Sequence, residues 1–313
     1  MTFEQGALHC DGLAVDAIAR ATGTPVYIYS AGTIRAAHAA LDGAFHGYPH
    51  TLHFALKANS TLAILRLIRG LGCSADANSG GEIDAARRAG FEPADIVFTG
   101  VGKTRDELDA AVALGVKAIN IESDGEAERI DALARARGVK ARVALRVNPD
   151  IDPRTHAHIS TGLRANKFGV PLEFAAGLLR RLAAMPGLEP VGLHVHLGSQ
   201  LVDVAPLGRA ARALADLATE VRAAGVRLQH IDLGGGLGVA YDGVNAADPA
   251  AYAAAVLPAI RPTGLHLLIE PGRYLVAPSG ALIGSVADTK AYQGSPRFIV
   301  LDTGMTELIR PML

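Results

Sequence analysis

Apolar and polar positions along the chain follow two periods. Short runs of apolar, β-prone residues recur at 52–55, 73–77, 96–99, 118–121, 143–147, 191–196, 230–233 and 265–269. Between them lie longer stretches with the three-to-four-residue spacing of a half-buried helix. The clearest is 207–224, where Leu207, Ala211, Leu214, Ala218 and Val221 share one face. Thr104 and Glu107 make a capping box ahead of Leu108, and Gly70, Gly90, Gly115 and Gly225 stand where helices should stop. Strand–helix units repeated in this way predict an α/β fold, a closed parallel (β/α)8 barrel of the TIM type with right-handed crossovers, over about 250 residues. An open doubly wound sheet is the alternative, but no GxGxxG follows the first strand.

The two ends read differently. Residues 1–24 form a leader with a short helix at 15–21. PVYIY at 25–29 is a strand candidate, and Ser30 caps a helix running to about residue 45. Beyond Pro278, 281–290 alternates with period two, 293–296 is a turn and 297–301 is another strand. Strands without helices between them predict the start of an all-β, Greek-key-like second domain. Two or three strands do not bury their own faces. The expectation is therefore a leader, 1–24, contributing to the β-domain, then a barrel over 25–277 and an incomplete β-domain over 278–313, in a chain that is a fragment.

Composition narrows the function classes. The chain has 313 residues, half of them hydrophobic, with 30 basic against 31 acidic side chains. That balance offers no field for nucleic acid or a membrane surface. No apolar run approaches the roughly 20 residues of a membrane helix. The amino terminus, MTFEQGALHC, lacks the charged-then-apolar order of a signal peptide. Cys10 and Cys73 are too few for a disulfide framework. These features predict a soluble cytoplasmic protein.

Barrels of this kind place reactive groups at the carboxyl ends of their strands. The first strand, in TLHFALKANS at 51–60, is predicted to be buried and to deliver Lys57. A lysine there is costly if buried and unpaired, and useful if its desolvated amine forms a Schiff base. On this stretch alone, a rim lysine with its head in water is the readier reading. The second strand gives Asp76 and the turn NSGGE; the fifth gives Arg146. The sixth gives His194 and His196, then Gly198, Ser199 and Gln200. The seventh runs into Gly234, Gly235 and Gly236, and the eighth into Glu270, Pro271, Gly272 and Arg273. The three glycines are either a tight turn or a cradle whose N–H groups approach a phosphate, with Ser199 adding a hydroxyl. His194 and His196, two apart on a strand, point the same way. With Asp76 and Glu270 they would suit zinc, as in a metal-dependent hydrolase, although either alone is more often a core histidine. Glu270 beside Arg273 is an ion pair, or the acid that keeps a pyridine nitrogen protonated. An amine for an aldehyde, glycines for a phosphate and an acid for a ring nitrogen together compose a pyridoxal phosphate site. That agreement favours the reactive reading of Lys57, with no metal.

HFALKANS, SGGE, RVNPD, THAHISTG with NKFG, GLHVHLGSQ, DLGGGLG, EPGR and DTGMTELIRP follow one another along the chain. In that order they resemble the diaminopimelate decarboxylases, barrel-type (fold-type III) decarboxylases of amino acids that depend on pyridoxal 5'-phosphate. The resemblance implies that Lys57 holds the cofactor, His196 stacks on its ring and Glu270 pairs with the ring nitrogen; these three are the implied catalytic set. It places Ser199, Gly234, Gly235 and Gly236 at the phosphate with Pro271, Gly272 and Arg273 nearby. Arg146 lies near the phenolic oxygen, and Asp76 supports the site. Arg273 and Arg310 match substrate-binding arginines, and the loop 152–169 borders the mouth. The implied reaction is decarboxylation of meso-2,6-diaminopimelate to L-lysine, the last step of lysine biosynthesis, in a homodimer with shared active sites.

An arginine suits a distal carboxylate. Ornithine and arginine decarboxylases of the same fold handle a cationic end, so Arg310 favours diaminopimelate over that alternative. Alanine racemases pair the ring nitrogen with arginine, and Glu270 counts against them. In the family a tyrosine and the rest of the β-domain follow IRP, including a cysteine delivered by the partner subunit; Cys73 does not match that motif. The chain as given is therefore expected to bind the cofactor weakly and turn over poorly, with a non-catalytic pyridoxal-phosphate-binding homologue as the remaining alternative.

Overall fold

The computed structural model describes residues 1–4, 6–152, 166–241, 243 and 246–309. The chain divides into two compact units, Ala37–Leu275 and a smaller one made of Met1–Ala36 and Val276–Leu313.

The larger unit contains a closed parallel barrel. Its strands are β1 (His50–Ala55), β2 (Ser74–Ala77), β3 (Ile96–Phe98), β4 (Ala118–Ile121), β5 (Ala141–Asn148), β6 (Leu188–His194), β7 (His230–Asp232) and β8 (His266–Ile269). Each pairs in parallel with the next, and β8 returns to β1. Every residue of β2, β3, β4 and β7 is buried. Covered on both faces, such strands read as unbroken apolar runs rather than alternating ones. Helices occupy the crossovers, and their ends follow the sequence cues. Thr104 and Glu107 form the capping box of Arg105–Leu114, and Gly90 and Gly115 close their helices at φ 96° and 66°. Among the described residues no helix is long and apolar enough to cross a membrane.

Two strand ends matter for the site; the first falls at Ala55 as expected, the second short of expectation. β1 stops at Ala55, and Lys57 sits on the single 3-10 turn Leu56–Ala58, closed by the Asn59 N–H on the Leu56 carbonyl. β6 stops at His194 instead of continuing to His196.

In the smaller unit, Thr2–Glu4, Ala7–Cys10 and Leu13–Ala14 form an antiparallel sheet. Cys10, Val15 and Ile28 make its core, with Leu8, Ile18, Val26, Ala281 and Ile283 packed on them. The strand expected over 281–290 is two strands in two sheets. Gly280–Ile283 pairs with Val26–Tyr29, and Val286–Lys290 pairs with Phe298–Leu301. The break lies at Gly284 and Ser285. Asp302 Oδ1 accepts the Ser285 N–H at 2.8 Å, and a β-carbon on Gly284 would stand 2.5 Å from Thr303 Cγ2. All residues of the second pair of strands are exposed.

His53 on β1 and His230 on β7 are buried. Gly192 on β6 makes room for the latter, since a β-carbon there would lie 2.1 Å from His230 Nε2. Burial, then the charge of Lys117, pushes the His53 imidazole from 6.5 to about 3; burial, then His53, does the same for His230. Between those values the unfolded chain binds protons that the folded chain refuses. Each histidine therefore contributes stability that is complete above 6.5 and lost as the pH falls toward 3. The slope is up to about 1.4 kcal/mol per pH unit for each group. Urea unfolding followed across this range should show the decline, and His53→Leu should flatten it by one group's share.

Candidate active site

The amine of Lys57 lies at the carboxyl end of the barrel. Its Nζ is 3.6 Å from Asp76 Oδ2 and donates to Asn78 Oδ1 at 3.3 Å. The side chain is 47% exposed, whereas that of Asp76 is fully buried. The expected desolvated lysine is thus a half-exposed one above a buried carboxylate, because the 3-10 turn lifts it off the strand. The chain after β8 fixes that turn. The Ala55 N–H donates to the Pro271 carbonyl at 3.1 Å, and Gly272 sits so close that a β-carbon would be 3.1 Å from Ala58 Cβ. Asn78 Nδ2 donates to Asp76 Oδ2 at 3.1 Å. Burial and the charge of Glu270 push Asp76 up to about 6, against the pull of Lys57.

Glu270, just past β8, is buried. His194 Nε2 stands 3.3 Å from its Oε2, while its Oε1 is buried without a hydrogen-bond partner. Burial disfavours the charged form of Glu270, but His194 and Lys57 outweigh it and hold the carboxyl below its usual range. His194, Asp232 and Glu270 bring one oxygen or nitrogen each within 4.8 Å of one another. The two histidines of HVH do not converge. His196 lies beyond the strand, and its Nδ1 accepts the Gly235 N–H at 3.2 Å. Burial, then the charges of Lys57 and Arg146, pushes this imidazole well below 6.5, so the ring is neutral. His194 and His196, expected to point the same way, thus face different neighbours, Glu270 and Gly235.

The glycines after β7 answer to backbone crowding. Gly234 and Gly236 have φ +64° and +109°, a region that favours glycine. A β-carbon would lie 2.4 Å from the Val195 carbonyl oxygen at Gly234, 2.1 Å from that of Glu270 at Gly235, and 2.3 Å from that of Gly198 at Gly236. The turn thereby draws the ends of β6, β7 and β8 together. Its Gly234 N–H is taken by Asp232 Oδ1 at 2.8 Å. Ser199 is half-buried. Arg273 Nη1 reaches Gln200 Oε1 at 3.5 Å, and its guanidinium lies 5.8 Å from the Tyr241 ring.

Arg146 on β5 is buried and donates to Glu122 Oε1 at 2.7 Å. Its guanidinium lies over the Phe168 ring at 4.6 Å. Glu122 Oε2 accepts the Gly169 N–H at 2.8 Å, and the Glu122 N–H donates to Glu126 Oε2 at 2.7 Å. Glu126 Oε1 in turn accepts from the buried Lys103, 3.0 Å away. The sequence reading passed over Glu122, Glu126, Lys103 and Asp232. Glu122 carried the cue used for Glu270, an acid directly after four buried strand residues. Arg310 and residues 153–165 of the loop 152–169 lie outside the described residues.

Residues 31–277 match the family model of the pyridoxal binding domain of pyridoxal-dependent decarboxylases. Diaminopimelate decarboxylase from Pseudomonas aeruginosa is 40% identical over 312 residues, which span 100% of this chain and 75% of the relative. The crystal structure of the Helicobacter pylori diaminopimelate decarboxylase complexed with L-lysine superposes with a TM-score of 0.90 at 40% identity, over 95% of this chain and 74% of that one. A diaminopimelate decarboxylase from M. jannaschii, also in complex with L-lysine, gives 0.90 at 33% identity, over 99% and 74%. The chain belongs to the diaminopimelate decarboxylase family of pyridoxal-dependent decarboxylases.

Proposed function

We propose that the chain binds pyridoxal 5'-phosphate at the carboxyl ends of the barrel strands and decarboxylates meso-2,6-diaminopimelate to L-lysine. The observation that carries the cofactor reading is Glu270 Oε1, a buried oxygen without a partner on a carboxyl held in its charged form. An orphaned acceptor of this kind calls for a donor, and a protonated pyridine nitrogen is one. The other residues fit the same group. Lys57 offers an amine and His196 a neutral flat ring; Ser199, Gly236 and Arg273 are assigned to the phosphate, while Gly234 and Gly235, whose N–H groups go to Asp232 and His196, shape the turn with Pro271 and Gly272. When bound, the cofactor supplies an electron sink for the charge left as carbon dioxide departs.

The chain's own groups then divide the work. Ionised Glu270 holds a proton at the ring nitrogen. Asp76, beside the Lys57 amine and able to change protonation near neutral pH, holds or releases the proton at Nζ. His196 covers one ring face and keeps water from it. Arg146, fixed by Glu122, keeps positive charge at the phenolic side. Arg273 and Arg310 are assigned to substrate carboxylate, for which a guanidinium is the matching donor. Support for diaminopimelate comes from relatives of that name at about 40% identity. The reading includes a cytoplasmic homodimer with shared sites, and the smaller unit as part of an all-β domain.

Wild type with added pyridoxal phosphate should show the absorption band of a protonated Schiff base, and Lys57→Ala should not; a band that survives the substitution defeats the cofactor assignment. Carbon dioxide should be released from diaminopimelate in preference to ornithine, and the opposite order would remove the substrate assignment. Gly235→Ala forces a methyl against the Glu270 carbonyl and should destabilise the chain by about 1–3 kcal/mol. Cofactor titration of that variant should also show at least a tenfold loss of affinity.

A further inference from the structure

His194 and Asp232 have no part in the reading above, yet both touch its central acid. We propose that they are positioning residues: with Glu270 they form a buried two-carboxylate group holding a single proton, on Asp232, which leaves Glu270 charged and able to accept from the cofactor. The inference rests on the cofactor reading for its purpose, but not for its proton.

The geometry sets the count. Side chains from the ends of three adjacent strands, β6, β7 and β8, meet within 4.8 Å, and all are buried. Two carboxylates cannot both ionise in so small and dry a space, so one keeps its proton. Their partners decide which one. Glu270 has the His194 ring on Oε2 at 3.3 Å and lies in the field of Lys57. Asp232 has the Gly234 N–H on Oδ1 at 2.8 Å, while no donor reaches Oδ2, and its carboxyl lies within hydrogen-bonding reach of that of Glu270. The proton belongs on Oδ2 of Asp232. Burial and the charge of Glu270 accordingly push Asp232 well above the usual carboxylate range.

The tautomer of His194 follows. A charged Glu270 only accepts, so Nε2 carries the hydrogen and donates it. His194 thus ties one oxygen of Glu270 to a neighbouring strand, the Asp232 proton is shared with the same carboxylate, and its remaining acceptor capacity is left to meet a ligand. A second carboxylate held neutral beside Glu270 adds no charge to the pocket.

Infrared spectroscopy of the cofactor-free chain tests the proton. At about pH 8, above the titration of Asp76 near 6, the carbonyl stretch of a buried protonated carboxylic acid should be present in wild type and missing in Asp232→Asn. Absence from wild type, or survival in Asp232→Asn, overturns the assignment. Pyridoxal phosphate titration tests the positioning. His194→Leu should lower affinity about tenfold, the loss of one hydrogen bond to a charged group. His194→Gln, whose amide N–H can take the place of Nε2–H, should recover most of it. Equal affinities for the two variants would mean that His194 only fills space. If wild type binds no cofactor, the cofactor reading fails, and the infrared result still decides the proton.

Discussion

An ionised carboxylate without water is the constraint on which the barrel mouth is built. Glu270 must stay charged in a place where burial favours the neutral acid. Charge and hydrogen bonding from two directions accomplish this: the His194 ring and the Lys57 amine. The backbone is arranged to the same end. The Glu270 N–H donates to the Gly234 carbonyl at 2.8 Å, and Gly235 packs directly on the Glu270 carbonyl. Glycines read from sequence as a phosphate cradle are first of all the reason three strand ends converge on one carboxylate. An anion site at the same turn would inherit that convergence.

A second chain of charge runs through Lys103, Glu126, Glu122 and Arg146 around the opposite side of the barrel. Buried pairs of this sort contribute little net stability, because desolvation offsets much of their attraction, but removing one partner is expensive. Their effect here is geometric. Arg146 reaches its position through Glu122, whose other oxygen fixes the Gly169 N–H. The strand-five arginine and the segment leading into Val170–Pro171 are therefore located by one side chain.

The barrel was legible because its strands are buried on both faces and its helices carry capping residues where they start and stop. Lys57, Glu270 and Arg146 were legible by position, since strand ends in such a barrel share one rim. What sequence did not disclose depends on where a strand stops. His194 and His196 point together only if β6 runs through both; it ends at the first, and the two rings serve different neighbours. In the same way, one extra turn of 3-10 helix set Lys57 half in water. Glu122 and Asp232 needed three dimensions, because their meaning lies in partners 24 and 38 residues away. Period-two alternation over 281–290 marked strand character correctly but gave no sign of the close approach at Gly284 that breaks it.

The ribbon formed by Val286–Lys290 and Phe298–Leu301 has a practical side. It leaves Val286, Phe298, Ile299 and Leu301 in water, and two strands alone hold together weakly. Open edges flanked by apolar side chains are templates for any extended segment that drifts past. A ribbon so exposed therefore favours self-association of the folded chain, through a few surface residues that lie apart from its chemistry.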